Sequence, residues 1–94
     1  MNKKEAKEII STELKQYRTK LYEELIQMIG TEPVTTEHTG PSGQWYQIEI
    51  EAFWDDKANE NIRVIGGIDD GGWRAYFPLN DDFIKSPSGE FVGE

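Results

Sequence analysis

The chain contains no cysteine and only one histidine in 94 residues. Disulfide bonds and thiolate metal sites are therefore excluded, and the fold has to be stabilised by its core alone. Nucleophilic catalysis needs a base within hydrogen-bonding distance of the nucleophile, and the single imidazole, His38, lies in a polar segment with no obvious partner. We expect a protein that is not an enzyme, with no catalytic residue and no cofactor.

Long hydrophobic runs are also missing. No stretch approaches the ~18 apolar residues that suggest a membrane span. The N-terminal segment MNKKEAKEII is charged and lacks the apolar stretch and cleavage site of a secretion signal. These absences predict a soluble, cytoplasmic protein that has no membrane partner.

Basic residues are scarce in the second part of the chain. Residues 1–30 carry six basic and five acidic side chains, whereas residues 31–94 carry four basic and thirteen acidic ones. A field of this sign repels nucleic-acid phosphates and attracts basic partners. We therefore expect no nucleic-acid binding and a basic protein partner. The alternative is that the charge only keeps a small protein in solution.

The first third of the chain has helical periodicity and predicts a helix over residues 3–29. A helix of this length would be ~40 Å long, which is more than the core of so small a domain covers. We therefore expect the first two turns to project or fray, or a break near Ser11–Thr12. The apolar stripe of this helix consists of Ile10, Leu14, Tyr17, Leu21, Leu25 and Met28. It widens towards the C-terminal half of the helix, which we therefore expect to be the more deeply buried half.

The rest of the chain alternates apolar and polar residues in the way β-strands do. Strong strand patterns cover Trp45–Trp54 and Ile62–Ile68, and 34–38 is compatible with a short edge strand. We predict a single α+β domain, residues 1–94, with the N-terminal helix packed on one face of a three- to five-stranded antiparallel meander over about 34–92. Two segments near the C-terminus, 83–85 and 90–92, are compatible with a small hairpin, while 80–83 could cap a helical turn.

The register of the strands follows if the alternating apolar residues of all strands are required to lie on one face of the sheet. Pairing Trp54 with Ile62 places Ile50 opposite Gly66. A type I′ turn at Asp70-Gly71 would then pair 66 with 75 and 68 with 73. Gly66 would form a trough that seats the helix, or alternatively mark a bulge.

Aspartate pairs lie in the predicted loops. The meander should bring four of these aspartates to one end of the sheet, where their carboxylates could hold a hard cation such as Ca²⁺. The sequence lacks the spacing and the glycine of an EF-hand loop, and aspartate favours turns because its carboxylate accepts hydrogen bonds from nearby backbone N–H groups. We interpret these residues as turn formers and as weak metal candidates: Asp55, Asp56, Asp81 and Asp82.

The sheet face away from the helix carries aromatic and arginine side chains among acidic ones, which is typical of an interaction surface. Ordinary cross-strand packing on a solvated face is the alternative. The predicted partner-binding residues are Trp45, Glu49, Glu51, Phe53, Arg63, Ile65, Arg74 and Tyr76.

The segments WYQIEIEAFWDD and GGIDDGGWRAYFPLNDDFI resemble those of an uncharacterised family of small bacterial α+β proteins. In size, acidity and helix-plus-meander layout the whole chain is also similar to immunity proteins of bacterial toxin systems. That resemblance implies neutralisation of a basic toxin domain by charge and shape, and it implies no individual functional residue. The leading hypothesis is a non-enzymatic protein-binding domain of immunity or antitoxin type. The alternatives are a homodimeric structural or regulatory protein and a Ca²⁺-dependent or catalytic domain that uses the Asp-rich loops.

Overall fold

The structure is a computed structural model that describes residues 1–72 and 78–94. Its strands form one antiparallel sheet in the order β1-β2-β3-β4, and the helices pack on one face of it, which confirms the predicted α+β class. Within the described ranges, neither helix is long and apolar enough to cross a membrane. The elements in chain order are α1 (Lys3–Arg18), α2 (Tyr22–Ile26), β1 (Val34–Thr39), β2 (Trp45–Trp54), β3 (Ile62–Asp69) and β4 (Leu79–Lys85).

The predicted long helix is wrong in its length and in where it breaks. The first helix ends at Arg18, so the interruption falls at 19–21 and not near Ser11–Thr12. Leu21 is extended there, 65% exposed, and its N–H donates to the Glu24 carboxylate at 2.9 Å. The C-terminal half was also expected to be the more deeply buried one, and the structure shows the reverse, because the first turns do not project. Buried residues are concentrated in α1, which contributes Ala6, Ile9, Ile10 and Leu14, whereas α2 contributes only Leu25.

The register predicted between β2 and β3 is confirmed. Ile50 pairs with Gly66, and the same ladder pairs Trp54 with Ile62. Alternate residues of both strands are buried, as period-2 patterning requires. One sheet face therefore supplies most of the core, and the other carries polar and acidic side chains.

The partner predicted for the far side of β3 is wrong. Gly66 pairs there with Asp81 and Ile68 with Leu79, so β4 occupies the place expected for residues 73–77, which lie outside the described residues. A type I′ turn is also excluded, because it needs a positive φ at both central residues and Asp70 has none. Residues 80–83 form a strand and no helical turn, whereas a bridge between Lys85 and Phe91 provides the contact expected of a terminal hairpin.

Gly66 seats the first helix on the sheet. A Cβ atom at this position would lie 2.7 Å from Ile10 Cδ1 and 3.3 Å from Leu14 Cδ2. The side chains of α1 therefore occupy the space that any other residue would fill, and the predicted trough is confirmed. A bulge is excluded because the ladders on both sides of β3 run through Gly66 without interruption.

The N-terminal turn of α1 is tied to the β1–β2 turn by one carboxylate. Glu5 accepts hydrogen bonds from Ser42 N at 2.9 Å, from Ser42 Oγ at 2.7 Å and from Tyr46 Oη at 2.7 Å. The bonds from Ser42 and then from Tyr46 lower the pKa of Glu5. Burial, together with the hydrogen bond to Glu5, raises the pKa of Tyr46 to about 12. The contact joins helix and sheet most firmly while Glu5 is ionised and Tyr46 is protonated.

This contact predicts a stability that depends on pH. Because the pKa of Glu5 is lower in the folded than in the unfolded chain, its contribution is complete above its ordinary value of 4.5 and is lost as the pH falls through the folded value. Glu5→Gln should therefore destabilise the protein at pH 7, with a smaller difference from the wild type at pH values below the folded pKa. Urea unfolding at several pH values measures this, with Glu8→Gln, an exposed neighbour on α1, as the control. A difference that is constant with pH would contradict it.

Candidate protein-docking face

The sheet face away from the helices, called the open face here, is built by the alternate residues of all four strands. Glu51, Ile65 and Asp82 form one row across β2, β3 and β4, as the two registers require. The next row along pairs Phe53 with Arg63. Both β2–β3 pairs of these rows follow from the register that the sequence predicted through Trp54 and Ile62. The face thus combines apolar side chains with carboxylates at a spacing set by the sheet.

Of the two described aromatic side chains assigned to this face, Phe53 is more exposed than Trp45. It is 46% exposed, although burial of a phenylalanine ring is strongly favourable. A shallow groove of about 240 Å³ lies beside it. The groove is lined by Glu49, Glu51, Phe53, Ile65, Gly67, Pro78 and Asn80.

Arg63 is held in place by two carboxylates. Its Nε donates to Asp55 Oδ1 at 2.9 Å, and its NH1 group donates to Asp82. The hydrogen bonds from these two partners raise the pKa of Arg63. The guanidinium therefore stays charged, and it neutralises part of the acidity at this end of the open face. Among the predicted partner-binding residues that the structure describes, Arg63 is the one whose charge is already paired within the chain.

The structure does not gather the four aspartates proposed as weak metal candidates. Asp55 and Asp82 flank Arg63, so a cation already occupies the space between them. Asp81 and Asp82 are neighbours in β4 and point to opposite faces of the sheet, while Asp56 lies exposed in the turn after β2. In the two described ranges, no three or more His, Cys, Asp or Glu side chains come together as metal ligands would.

Trp45 lies at the rim of the open face, where it was predicted. It is 37% exposed, and a Cβ atom at Gly71 would lie 3.0 Å from its ring. The ring therefore covers the chain just after β3. Arg74 and Tyr76, which were predicted to belong to the same face, lie outside the described residues.

Sequence reasoning missed the contribution of β4 to this face. Asn80 lines the groove and Asp82 holds Arg63. The segment Leu79–Lys85 has adjacent aspartates, and the residue that follows Phe83 on the buried side is a lysine, so no apolar alternation identifies it as a strand. Phe83 and Lys85 lie two residues apart and are both buried, but the burial of a lysine is not evident from the residue type.

Comparison with protein-family models, with curated proteins and with solved structures found no match for this chain. The geometry and charge of the open face are therefore the basis for assigning a function.

Proposed function

We propose that the chain is a non-enzymatic protein-binding domain that engages a basic protein partner through the open face. The observation that carries the proposal is the exposed Phe53 ring beside a groove whose walls include the carboxylates of Glu49 and Glu51. An aromatic anchor that is desolvated on contact provides affinity, and carboxylates beside it provide selectivity for partners of the opposite sign.

The most concrete form of this function is that of a bacterial immunity or antitoxin protein acting in the cytoplasm. The formal net charge is −8, and the acidic excess belongs to the part of the chain that forms the sheet. A basic toxin domain would be attracted over a distance of roughly 8–10 Å at physiological ionic strength and would then dock on the apolar residues. Nucleic acids and anionic membranes would be repelled by the same field.

The binding test uses purified basic proteins encoded beside this chain's gene, titrated by calorimetry. We expect Phe53→Ala, and separately the double variant Glu49→Lys/Glu51→Lys, to weaken binding by at least about tenfold, which corresponds to ~1.4 kcal/mol. The wild-type association rate should fall as salt is raised, because steering of exposed charges is screened.

The matched control changes the same number of charges elsewhere. Glu23 and Glu32 are exposed and lie outside the sheet, so Glu23→Lys/Glu32→Lys alters the net charge equally and leaves the open face intact. This control should slow association only slightly and keep the dissociation rate. Equal losses in both double variants, or an association rate that is insensitive to ionic strength, would refute docking on the open face.

A further inference from the structure

The first strand is an edge strand whose outer side is free in the described part of the chain. The sheet order places β1 at one end, next to β2 only. At the adjoining turn Gly40 N donates to Gln44 O at 2.9 Å, which makes 40 and 44 a hydrogen-bonded pair. In an antiparallel ladder such pairs alternate, so the pairs formed by residues 34, 36 and 38 are hydrogen-bonded as well. The N–H and C=O groups of the intervening residues therefore point away from the sheet: Thr35, Glu37 and Thr39.

The opposite edge of the sheet is different. Phe91 forms a bridge with Lys85, and Val92 N donates to Ile84 O at 2.9 Å, so the C-terminal segment covers part of β4. All six residues of β1, in contrast, are exposed. An exposed strand edge is a template for another strand, because its unpaired backbone groups find partners only in water or in an added chain.

A groove runs beside this edge on the helix side of the sheet. Its volume is about 230 Å³, and His38 of β1 forms one wall. The opposite wall is α1, with Glu8 and Glu13 exposed or half-buried above the apolar floor formed by Ile9. On the other sheet face the edge is acidic too, since Glu37 belongs to β1 itself and Glu49 pairs with Thr35.

We propose that β1 binds an extended segment of a basic partner as a fifth strand of the sheet. Backbone hydrogen bonds to Thr35, Glu37 and Thr39 would supply affinity, as in other strand-addition complexes. Alternate side chains of the added strand would enter the groove on one side and approach Glu37 and Glu49 on the other. Lysine or arginine at alternate positions would satisfy these carboxylates.

Charge makes a second copy of this chain the poorer occupant. Residues 31–43 contain Glu32 and Glu37 and no lysine or arginine. Pairing of two β1 strands would bring these carboxylates to an edge that is already acidic, between two chains that each carry a net charge of −8. A basic strand forms the same backbone bonds and meets opposite charges.

The test is NMR titration of ¹⁵N-labelled full-length chain with a capped peptide, Lys-Val-Lys-Val-Lys-Val. Saturating chemical-shift changes and slowed amide exchange are expected at Thr35, Glu37 and Thr39. The peptide Glu-Val-Glu-Val-Glu-Val should not bind, and neither should the lysine peptide with alternate backbone nitrogens methylated. Changes confined to other residues, equal binding of the acidic peptide, or no saturable shift at millimolar concentrations would overturn the proposal.

A proline variant separates strand addition from attraction by charge. Thr35→Pro removes one outward N–H and no bond to β2, which an edge strand tolerates. It should keep the fold and weaken peptide binding by about tenfold or more, whereas an unchanged affinity would refute backbone pairing. Phe53→Ala should leave peptide binding unaffected. Failure of strand addition at β1 is therefore distinguishable from failure of docking on the open face. Sedimentation showing a dimer that Thr35→Pro dissociates would assign the edge to a second copy and overturn the proposal.

Discussion

Gly66→Val is expected to reduce the free energy of unfolding by about 2–3 kcal/mol, the upper part of the range for overpacking a well-packed core. The first atom of any side chain at this position would come within 2.7 Å of Ile10 Cδ1, and Ile10 is itself 1% exposed. The helix must therefore move away from the sheet or Ile10 must leave its rotamer. The higher strand propensity of valine, which favours the variant, amounts to at most ~1 kcal/mol and does not offset this cost.

Chemical denaturation measures this change, and the neighbouring glycine provides the matched control. Gly67 faces the other side of the sheet, where a Cβ atom would first meet Asn80 Oδ1 at 3.1 Å and that exposed side chain can move. Gly67→Val should therefore change the stability by less than about 1 kcal/mol. A smaller loss for Gly66→Val than for Gly67→Val would contradict the packing of α1 on Gly66.

A double-mutant cycle locates the clash at one atom. Gly66→Ala adds only the Cβ atom, and Ile10→Val removes Cδ1, the atom nearest to it. The double variant should be more stable than the sum of the two single losses predicts, by about 0.5–1 kcal/mol. Additive losses would mean that the sheet and the helix adjust independently at this point.

Lys85→Met is the second large effect, with an expected loss of about 2–3 kcal/mol. The Lys85 side chain is 7% exposed, and its Nζ donates to Arg18 O at 2.8 Å and to Lys20 O at 2.6 Å. The first carbonyl belongs to the last residue of α1 and the second lies two residues beyond it, where helix carbonyls lack intrahelical donors. Methionine fills much of the volume, but it leaves both partly buried acceptors without the ammonium donor, and the loss of a charged hydrogen-bond partner at such a site is costly.

Thermal or urea unfolding measures the loss, and Lys15→Met is the control for removing a lysine from the surface. Lys15 is exposed on α1, so its replacement should stay within about 0.5 kcal/mol of the wild type. In Lys85→Met, amide exchange should also accelerate around residues 19–21, where the two carbonyls are released. A Lys85→Met variant as stable as the wild type would show that water replaces the ammonium group without cost.

The same lysine explains why the sequence misplaced the helix break. Periodicity carries α1 smoothly into α2, and the sequence offers neither glycine nor proline between residues 19 and 21. The interruption is stabilised by a side chain more than sixty positions away, in a strand that itself lacks apolar alternation. Local propensity carries no information about such a contact.

The register of β2 and β3 could be predicted because alternate positions of each strand are mostly apolar and only one register puts both sets on the same face. The open face was inferred from the same argument, and Phe53 opposite Arg63 is where the sequence placed it. The two salt bridges of Arg63 were not foreseen, because they depend on β4 and on the turn after β2. Alternation alone predicts which residues share a sheet face, but it does not predict which of their charges form salt bridges within the chain.

The core is formed without the edge strand β1, and this separation affects how the protein can evolve. The first strand supplies no member of the buried core, which comes from α1, α2 and the other three strands. Replacements along Val34–Thr39 should therefore alter what the edge recognises at little cost to folding. A lineage could acquire new binding preferences there while its thermodynamic stability stays nearly constant, which is the freedom that a protein matched to a rapidly varying counterpart requires.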